Sequence, residues 1–257
     1  MTEWLSLQTC GIWTPIRMIC VWLAAYCPRS LFHADALKNT MLLAFNPVRG
    51  MEVKLLEENQ FLLKFNHVVD RNRVVDGCPW SFERNLLILS PVAMNETPQD
   101  VNLDWTTFHV HVHGLPLSKM SKDMARFIAD HLGKFIQVDA DNTGHVWGSS
   151  MRLRVHLDIT KPLKRVLKLR TTLSDEQLLS FTYEKLPNFC YLCGHLGHLS
   201  KFCDLRFTDD FTDPGEATPF GPWLRATNLP TGRNRYSPGT RNQPTPQFSS
   251  PPHKSPS

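Results

Sequence analysis

Cys190-Tyr-Leu-Cys193-Gly-His-Leu-Gly-His198-Leu-Ser-Lys-Phe-Cys203 settles the character of the C-terminal half of this chain. The spacing is C-x2-C-x4-H-x4-C. Three thiolates and one imidazole close a tetrahedral shell around one zinc ion and leave no open position, which is the arrangement of a structural site. Gly194 and Gly197 sit where the loop must turn tightly and a Cβ would be costly. Three cysteines cannot all pair off among themselves, so a disulfide framework is disfavoured for this segment. His195 lies too close to Cys193 to complete a good tetrahedron, which leaves His198 as the fourth ligand. Small loops of this kind present backbone and aromatic groups to single-stranded nucleic acid.

Charge supports the same reading. The 257 residues carry a formal net charge of +4, unevenly spread. Between Arg152 and Arg206 ten basic residues face five acidic ones, an excess larger than that of the whole chain. Lys161, Lys164, Arg165, Lys168 and Arg170 precede the knuckle, and Lys185, Lys201 and Arg206 flank it. Such a cluster suits phosphate contact, which is independent of sequence and sensitive to salt. Tyr191 directly follows the first ligand and is the expected stacking residue, whereas Phe202, directly before the last, covers the metal or extends the surface. Asn188 and Phe189 extend that surface upstream.

Upstream of the knuckle the pattern is α+β. Apolar residues at Ala34, Leu37, Met41 and Phe45 mark one face of a helix over His33–Phe45. Met51–Leu56 and Gln60–Phe65 read as strands joined at Glu57-Glu58-Asn59. His67–Gly77 reads as a short helix with Val68, Val69, Val74 and Val75 inward and Asp70, Arg71 and Arg73 outward. Trp80–Leu89 reads as one strand. With a strand in front of the first helix, this order is the split βαβ, ferredoxin-like fold shared by RNA-recognition domains. No good candidate for that first strand stands out.

A second unit follows. Phe108–His113 alternates as a strand, Ser118 caps a helix reaching Leu132 with Met120, Met124, Phe127, Ile128 and Leu132 on one face, and Lys134–Val138, Met151–Ile159 and Leu178–Tyr183 are strands. His109, His111 and His113 share one strand face without an evident carboxylate or cysteine beside them, so a metal site there is disfavoured. Asp139, Asp141, Asn142 and Gly144 lack the closing Glu of a calcium loop.

The expected organisation is an atypical apolar N-terminus over 1–29, an α/β region over 30–184 with a possible boundary near 92–104, a CCHC knuckle over 185–206, and a disordered Pro/Ser/Thr-rich tail over 207–257. Within that tail Phe220-Gly-Pro-Trp-Leu-Arg225 is apolar enough to dock. The apolar run Gly11–Cys27 is short for a membrane span, contains Pro15 and Arg17, and follows a start with Glu3 and no Lys or Arg, which is wrong for a secretory signal. Zinc thiolates also fit a reducing compartment. The expectation is therefore an intracellular protein, nuclear or cytoplasmic, with no membrane partner. Cys10, Cys20, Cys27 and Cys78 show no ligand spacing. No P-loop, G-x-S-x-G or H-E-x-x-H motif occurs, so no enzyme is expected.

The stretch Phe181-Thr-Tyr-Glu-Lys-Leu-Pro-Asn-Phe-Cys190 through Cys203 resembles plant proteins in which such a knuckle follows the domain of unknown function DUF4283. Asn46-Pro-Val-Arg-Gly50, Asp70-Arg-Asn-Arg-Val-Val-Asp-Gly-Cys-Pro-Trp80, Asn85-Leu-Leu-Ile-Leu89, Met151-Arg-Leu-Arg-Val and Phe220-Gly-Pro-Trp-Leu-Arg225 extend the resemblance over roughly residues 30–226. Residues 1–29 depart from it. The resemblance implies an origin in the gag-like or first-reading-frame proteins of plant retrotransposons, one zinc ion held by Cys190, Cys193, His198 and Cys203, binding to single-stranded RNA or DNA, and no catalysis. Self-association through the α/β region and a protein-binding role for the knuckle and the Gly221-Pro222-Trp223 segment are the further expectations.

Overall fold

A computed structural model of the chain describes residues 17–22, 34–56, 60–93, 96–141, 146, 148–170, 176–215 and 217–226. The turn at 57–59, Asn142 and Gly144, Cys10 and Cys27, and residues 227–257 of the expected tail lie outside these.

Two five-stranded sheets organise the described residues. The first unit runs β1 (Arg17–Trp22), α1 (Ala34–Phe45), β2 (Met51–Leu55), β3 (Gln60–Phe65), α2 (Val68–Asp76), β4 (Trp80–Phe82) and β5 (Asn85–Pro91). Its sheet order is β2-β3-β1-β5-β4 and its pairs are all antiparallel. This is the ferredoxin-like βαββαβ arrangement, with the short β4 added outside the last strand. The missing first strand is Arg17–Trp22, which pairs with β3 on one side and β5 on the other. Met18-Ile-Cys-Val-Trp22 is apolar without alternation, so the strand merges with the apolar run Gly11–Cys27 in the sequence.

Three other expectations are corrected here. Trp80–Leu89 is a hairpin rather than one strand, because Glu83 and Arg84 both adopt positive φ and reverse the chain. In α2, Val69 points to solvent at 62% exposure while Asp70 is buried at 2%. The Asp70 carboxylate accepts the amides of Val48 and Arg49 at 3.0 and 2.8 Å, which satisfies its charge and ties the loop after α1 to the second helix. The two amide bonds outweigh burial and hold its pKa below the usual carboxylate range. Leu37, Met41 and Phe45 of α1, Val74 of α2, and Phe61, Leu63, Phe65, Leu87 and Leu89 of the sheet form the first core.

The second unit repeats the plan incompletely. It runs β6 (Trp105–His113), α3 (Lys122–Leu132), β7 (Lys134–Val138), β8 (Met151–Asp158), β9 (Val166–Arg170) and β10 (Glu176–Tyr183), with sheet order β7-β8-β6-β10-β9. The N-cap of α3 is Ser121, whose hydroxyl accepts the amide of Met124, and not Ser118, which lies in the preceding 3₁₀ turn. The helix buries Ala125, Ile128, Ala129 and Leu132, whereas Phe127 faces outward.

No helix occupies 159–165, the place equivalent to α2. The core face of this sheet, carrying Phe108, Val110, Leu153, Val155, Phe181 and Tyr183, is covered instead by later segments. Leu163, Leu186, Phe189, Leu196 and Leu224 belong to the same buried cluster. The knuckle loop and residues just after it therefore stand in for the absent helix. Burying side chains of this size stabilises by about 1.5–3 kcal/mol each. Leu86 and Ile88 of β5 also join this cluster, so the first unit is continuous with the second.

Candidate metal centre and nucleic-acid interface

Pro187 leads from β10 into the knuckle, and two left-handed glycines, Gly194 (φ 77°) and Gly197 (φ 93°), wrap the chain. The ligand atoms of Cys190, Cys193, His198 and Cys203 all lie within 4.8 Å of one another. A zinc tetrahedron with Zn–S of about 2.3 Å and Zn–N of about 2.0–2.1 Å has edges of roughly 3.6–3.8 Å. The Cys193 Sγ to His198 Nε2 edge is 3.3 Å. The donor set and its span fit one structural zinc.

Surrounding groups prepare the site. The amides of Leu192 and Cys193 donate to Cys190 Sγ at 3.4 and 3.5 Å. Burial pushes that thiol up, but these amides more than offset it and the net direction is downward, toward thiolate. The Cys193 thiol is pushed up to about 12 by burial and by the neighbouring Cys190. A divalent cation among three sulfurs reverses that repulsion and makes all three thiolates. Burial lowers the His198 pKa and keeps the imidazole neutral, the form that ligates. Ser200 Oγ accepts the Tyr191 amide at 2.8 Å and closes the loop behind the metal. The ring of His195 takes no part in the ligand cluster, while its carbonyl accepts the Cys190 amide at 2.9 Å.

Residues 217–226, expected within the disordered tail, form a strap over the knuckle. Leu224 is buried at 1% exposure, because its side chain completes the apolar cover of the second sheet. The Phe220 amide donates to the Tyr191 carbonyl at 3.1 Å, and the Phe220 ring covers Gly194 so closely that a Cβ there would be driven into it. Arg225 reaches the Tyr191 hydroxyl at 3.1 Å and the carbonyls of Leu186 and Pro187 at 3.4 and 3.2 Å, with its guanidinium 5.1 Å over the Phe189 ring. The apolar Phe220–Arg225 segment thus docks on its own chain.

The expected contact residues divide into two groups. Lys164, Arg170 and Lys201 are exposed, and Lys161 and Lys168 are exposed while pairing with Asp158 at 2.8 Å and with Glu176 at 3.8 Å. Lys201 lies 4.6 Å over the half-buried Phe202 ring. The others make further contacts within the chain, although Lys185, Arg165 and Arg206 are exposed too. Tyr191 is half-buried, 5.0 Å from the Phe189 ring and bonded to Arg225. Lys185 donates to the Gly77 carbonyl at 2.8 Å and lies over Trp80, Arg165 donates to the Pro219 carbonyl and lies over Phe220, and Arg206 pairs with Asp213 at 3.1 Å. Arg154 reaches across to Asp76 at 3.0 Å.

The histidine row on β6 does share a face, and a carboxylate does converge on it. Buried Glu184 accepts from Arg152 at 2.6 and 2.8 Å and contacts His111 at 2.7 Å. Burial raises the Glu184 pKa, yet Arg152 and His111 pull it down to about 2. Burial, with Arg152 adding, pushes His109 down to about 4. This is an internal ion network; among the described residues the one cluster of metal-ligating geometry is the knuckle. Sequence offered a single cue to it, an acid closing the otherwise uncharged end of β10. Ser200 and Leu163 carried no local signal, and Arg225 was visible only as the end of the apolar Phe220–Arg225 stretch.

Known proteins agree with the geometry. Residues 157–205 match the zinc-knuckle family, and residues 30–100 match the domain of unknown function DUF4283. The chain therefore carries DUF4283 followed by a CCHC knuckle. The knuckle match begins at the end of β8, so it takes in β9 and β10 as well as the metal loop. An uncharacterized protein of Arabidopsis thaliana is 29% identical over 115 residues, 42% of this chain and 36% of that protein. The match thus spans about a third of that relative's length. Among solved structures, RNA recognition domains 1 and 2 of Sex-lethal from Drosophila melanogaster are similar at 14% identity over 55% of this chain and 85% of theirs, with a TM-score of 0.22. The first two RRM domains of yeast poly(U)-binding protein Pub1 give 11% identity over 54% and 81%, with a TM-score of 0.23. The fold assignment rests on the strand order and register given above.

Proposed function

We propose that this chain binds single-stranded RNA or DNA through the zinc knuckle and the basic residues beside it, without catalysing a reaction. The observation that carries the reading is the Cys190–Cys193–His198–Cys203 cluster in a chain that keeps Lys161, Lys164, Lys168, Arg170 and Lys201 exposed. A closed shell offers a metal no substrate position, so its role is to shape a surface. Exposed lysines and arginines nearby supply the phosphate attraction. The resemblance to plant knuckle proteins carrying DUF4283 supports descent from a retrotransposon gag-like or first-reading-frame protein. Zinc thiolates favour an intracellular setting, nuclear or cytoplasmic. Among the described residues no helix is long and apolar enough to cross a membrane.

The protein-binding reading rests on less: Phe220 and Leu224 pack on the chain's own knuckle and sheet, which leaves Pro222 and Trp223 of the expected docking segment exposed. Self-association remains part of the proposal only through the α/β units. Cys190→Ser combined with His198→Ala tests the main reading. The double variant should lose zinc and at least tenfold in affinity for a single-stranded oligonucleotide. Unchanged affinity removes the knuckle from binding.

A further inference from the structure

A cleft lies beside the segments that stand in for the absent second helix of the second unit. It lies between the C-terminal end of α3, the 159–165 segment and the knuckle residue Leu196, with a volume of about 260 Å³. That is small beside the roughly 300–1,000 Å³ of pockets for drug-sized ligands, and it suits a single unit of a polymer rather than a duplex.

Its chemistry is two-sided. One wall is the end of α3, whose last turn leaves carbonyls without intrahelical partners, together with Asp130. That wall accepts hydrogen bonds. The other wall carries Lys164, whose ammonium has no ion-pair partner among the described residues, and Lys161, its side chain 73% exposed and paired at 2.8 Å with Asp158, which lines the same cleft. That wall offers the Lys164 cation outright and the Lys161 cation shared with Asp158. The floor is apolar, with Leu157, Leu163 and Leu196. A nucleotide has matching parts: exocyclic amines and hydroxyls that donate, a base with two apolar faces, and a phosphate that carries charge. The cleft is also joined to the metal loop, since the Leu163 amide donates to the Gly194 carbonyl at 2.9 Å. Tyr191, the expected stacking residue, is already held by Phe189 and Arg225.

We propose that this cleft is a nucleotide subsite, which receives one unpaired nucleotide of a strand passing the knuckle, its phosphate on Lys161 and Lys164 and its base edge toward the end of α3. The proposal rests on the nucleic-acid reading above and adds where the strand is gripped. It places the main grip on the helix-side face of the second unit and not on Tyr191.

The test uses the zinc-loaded full chain and a fluorescein-labelled single-stranded RNA. Lys161→Glu with Lys164→Glu should weaken binding at least tenfold and reduce the slope of log affinity against log salt by roughly 1–1.5, at about 0.7 per phosphate contact. Zinc content should stay at one per chain. Tyr191→Leu should weaken binding less than the lysine pair. In parallel, 5-iodouridine in the same RNA should photo-crosslink within residues 157–164. Binding of the lysine variant within twofold of the wild type, with crosslinks confined to 190–203, overturns the cleft and leaves the nucleic-acid reading standing. Failure of the wild-type protein to bind any single strand removes both.

Discussion

The backbone amide of Leu163 donates a 2.9 Å hydrogen bond to the carbonyl of Gly194, and this bond fastens the zinc loop to the sheet that precedes it. A knuckle on a flexible linker has no such anchor. Here Leu186, Phe189 and Leu196 sit in one core with Phe108, Val155 and Phe181, so the metal loop is part of the wall of the second unit.

Removing zinc should therefore loosen more than the loop. A structural zinc contributes apparent binding energies of about 10–16 kcal/mol at neutral pH. In Cys190→Ser, hydrogen exchange should accelerate in β6, β8 and β10 as well as in 185–206. Acceleration confined to 185–206 would show the knuckle to be independent of the sheet.

The strap makes a matching prediction. Leu224 is fully buried, and truncating a buried leucine costs about 2–5 kcal/mol. Leu224→Ala should lower the melting temperature and weaken zinc retention against a chelator. A chain ending at residue 227 should melt as the full chain does.

The two loop glycines should differ. Both have positive φ, where an ordinary side chain costs about 1–2 kcal/mol. At Gly197 nothing lies within 4 Å of an added Cβ, whereas at Gly194 the Phe220 ring must move. Gly194→Ala should destabilise more than Gly197→Ala in thermal melts, and the difference should vanish in a Phe220→Ala background.

Acid should unfold the second unit in two stages. His109 binds its proton near 4 in the folded chain and near 6.5 when unfolded, so the unfolded state takes up more protons in that window and stability falls as pH drops from about 6.5 to 4. Arg152, Glu184, Arg154 and Asp139 are the charges that act on it. Glu184 is held down to about 2, so its contribution is present above about 4.5 and is lost as pH falls toward 2. Denaturant midpoints measured from pH 7 to 3 should show both limbs. His109→Gln should flatten the upper one and Glu184→Gln the lower one.

Much of this was readable from residues alone. Ligand spacing identified the metal site, since four donors in fourteen positions constrain geometry without any tertiary information. Alternation located β2, β3, β6, β8 and β10 because each has one core face and one other face. The failures share a cause: tertiary partners decided them. The central strand Arg17–Trp22 is hidden in an apolar run. Asp70 turns inward because the amides of Val48 and Arg49 wait there. The Glu83-Arg84 turn has no glycine to announce it. The strap looks like tail until Gly194 and Tyr191 receive Phe220 and Arg225.

The most direct measurement is a fluorescence-anisotropy titration of a labelled single-stranded oligonucleotide against the zinc-loaded chain, repeated across salt and after chelation. Saturable binding that weakens log-linearly with salt, prefers the single strand to its duplex and disappears with the zinc is the expected result. Equal binding before and after zinc removal, or no binding at low salt, would contradict a zinc-shaped nucleic-acid surface.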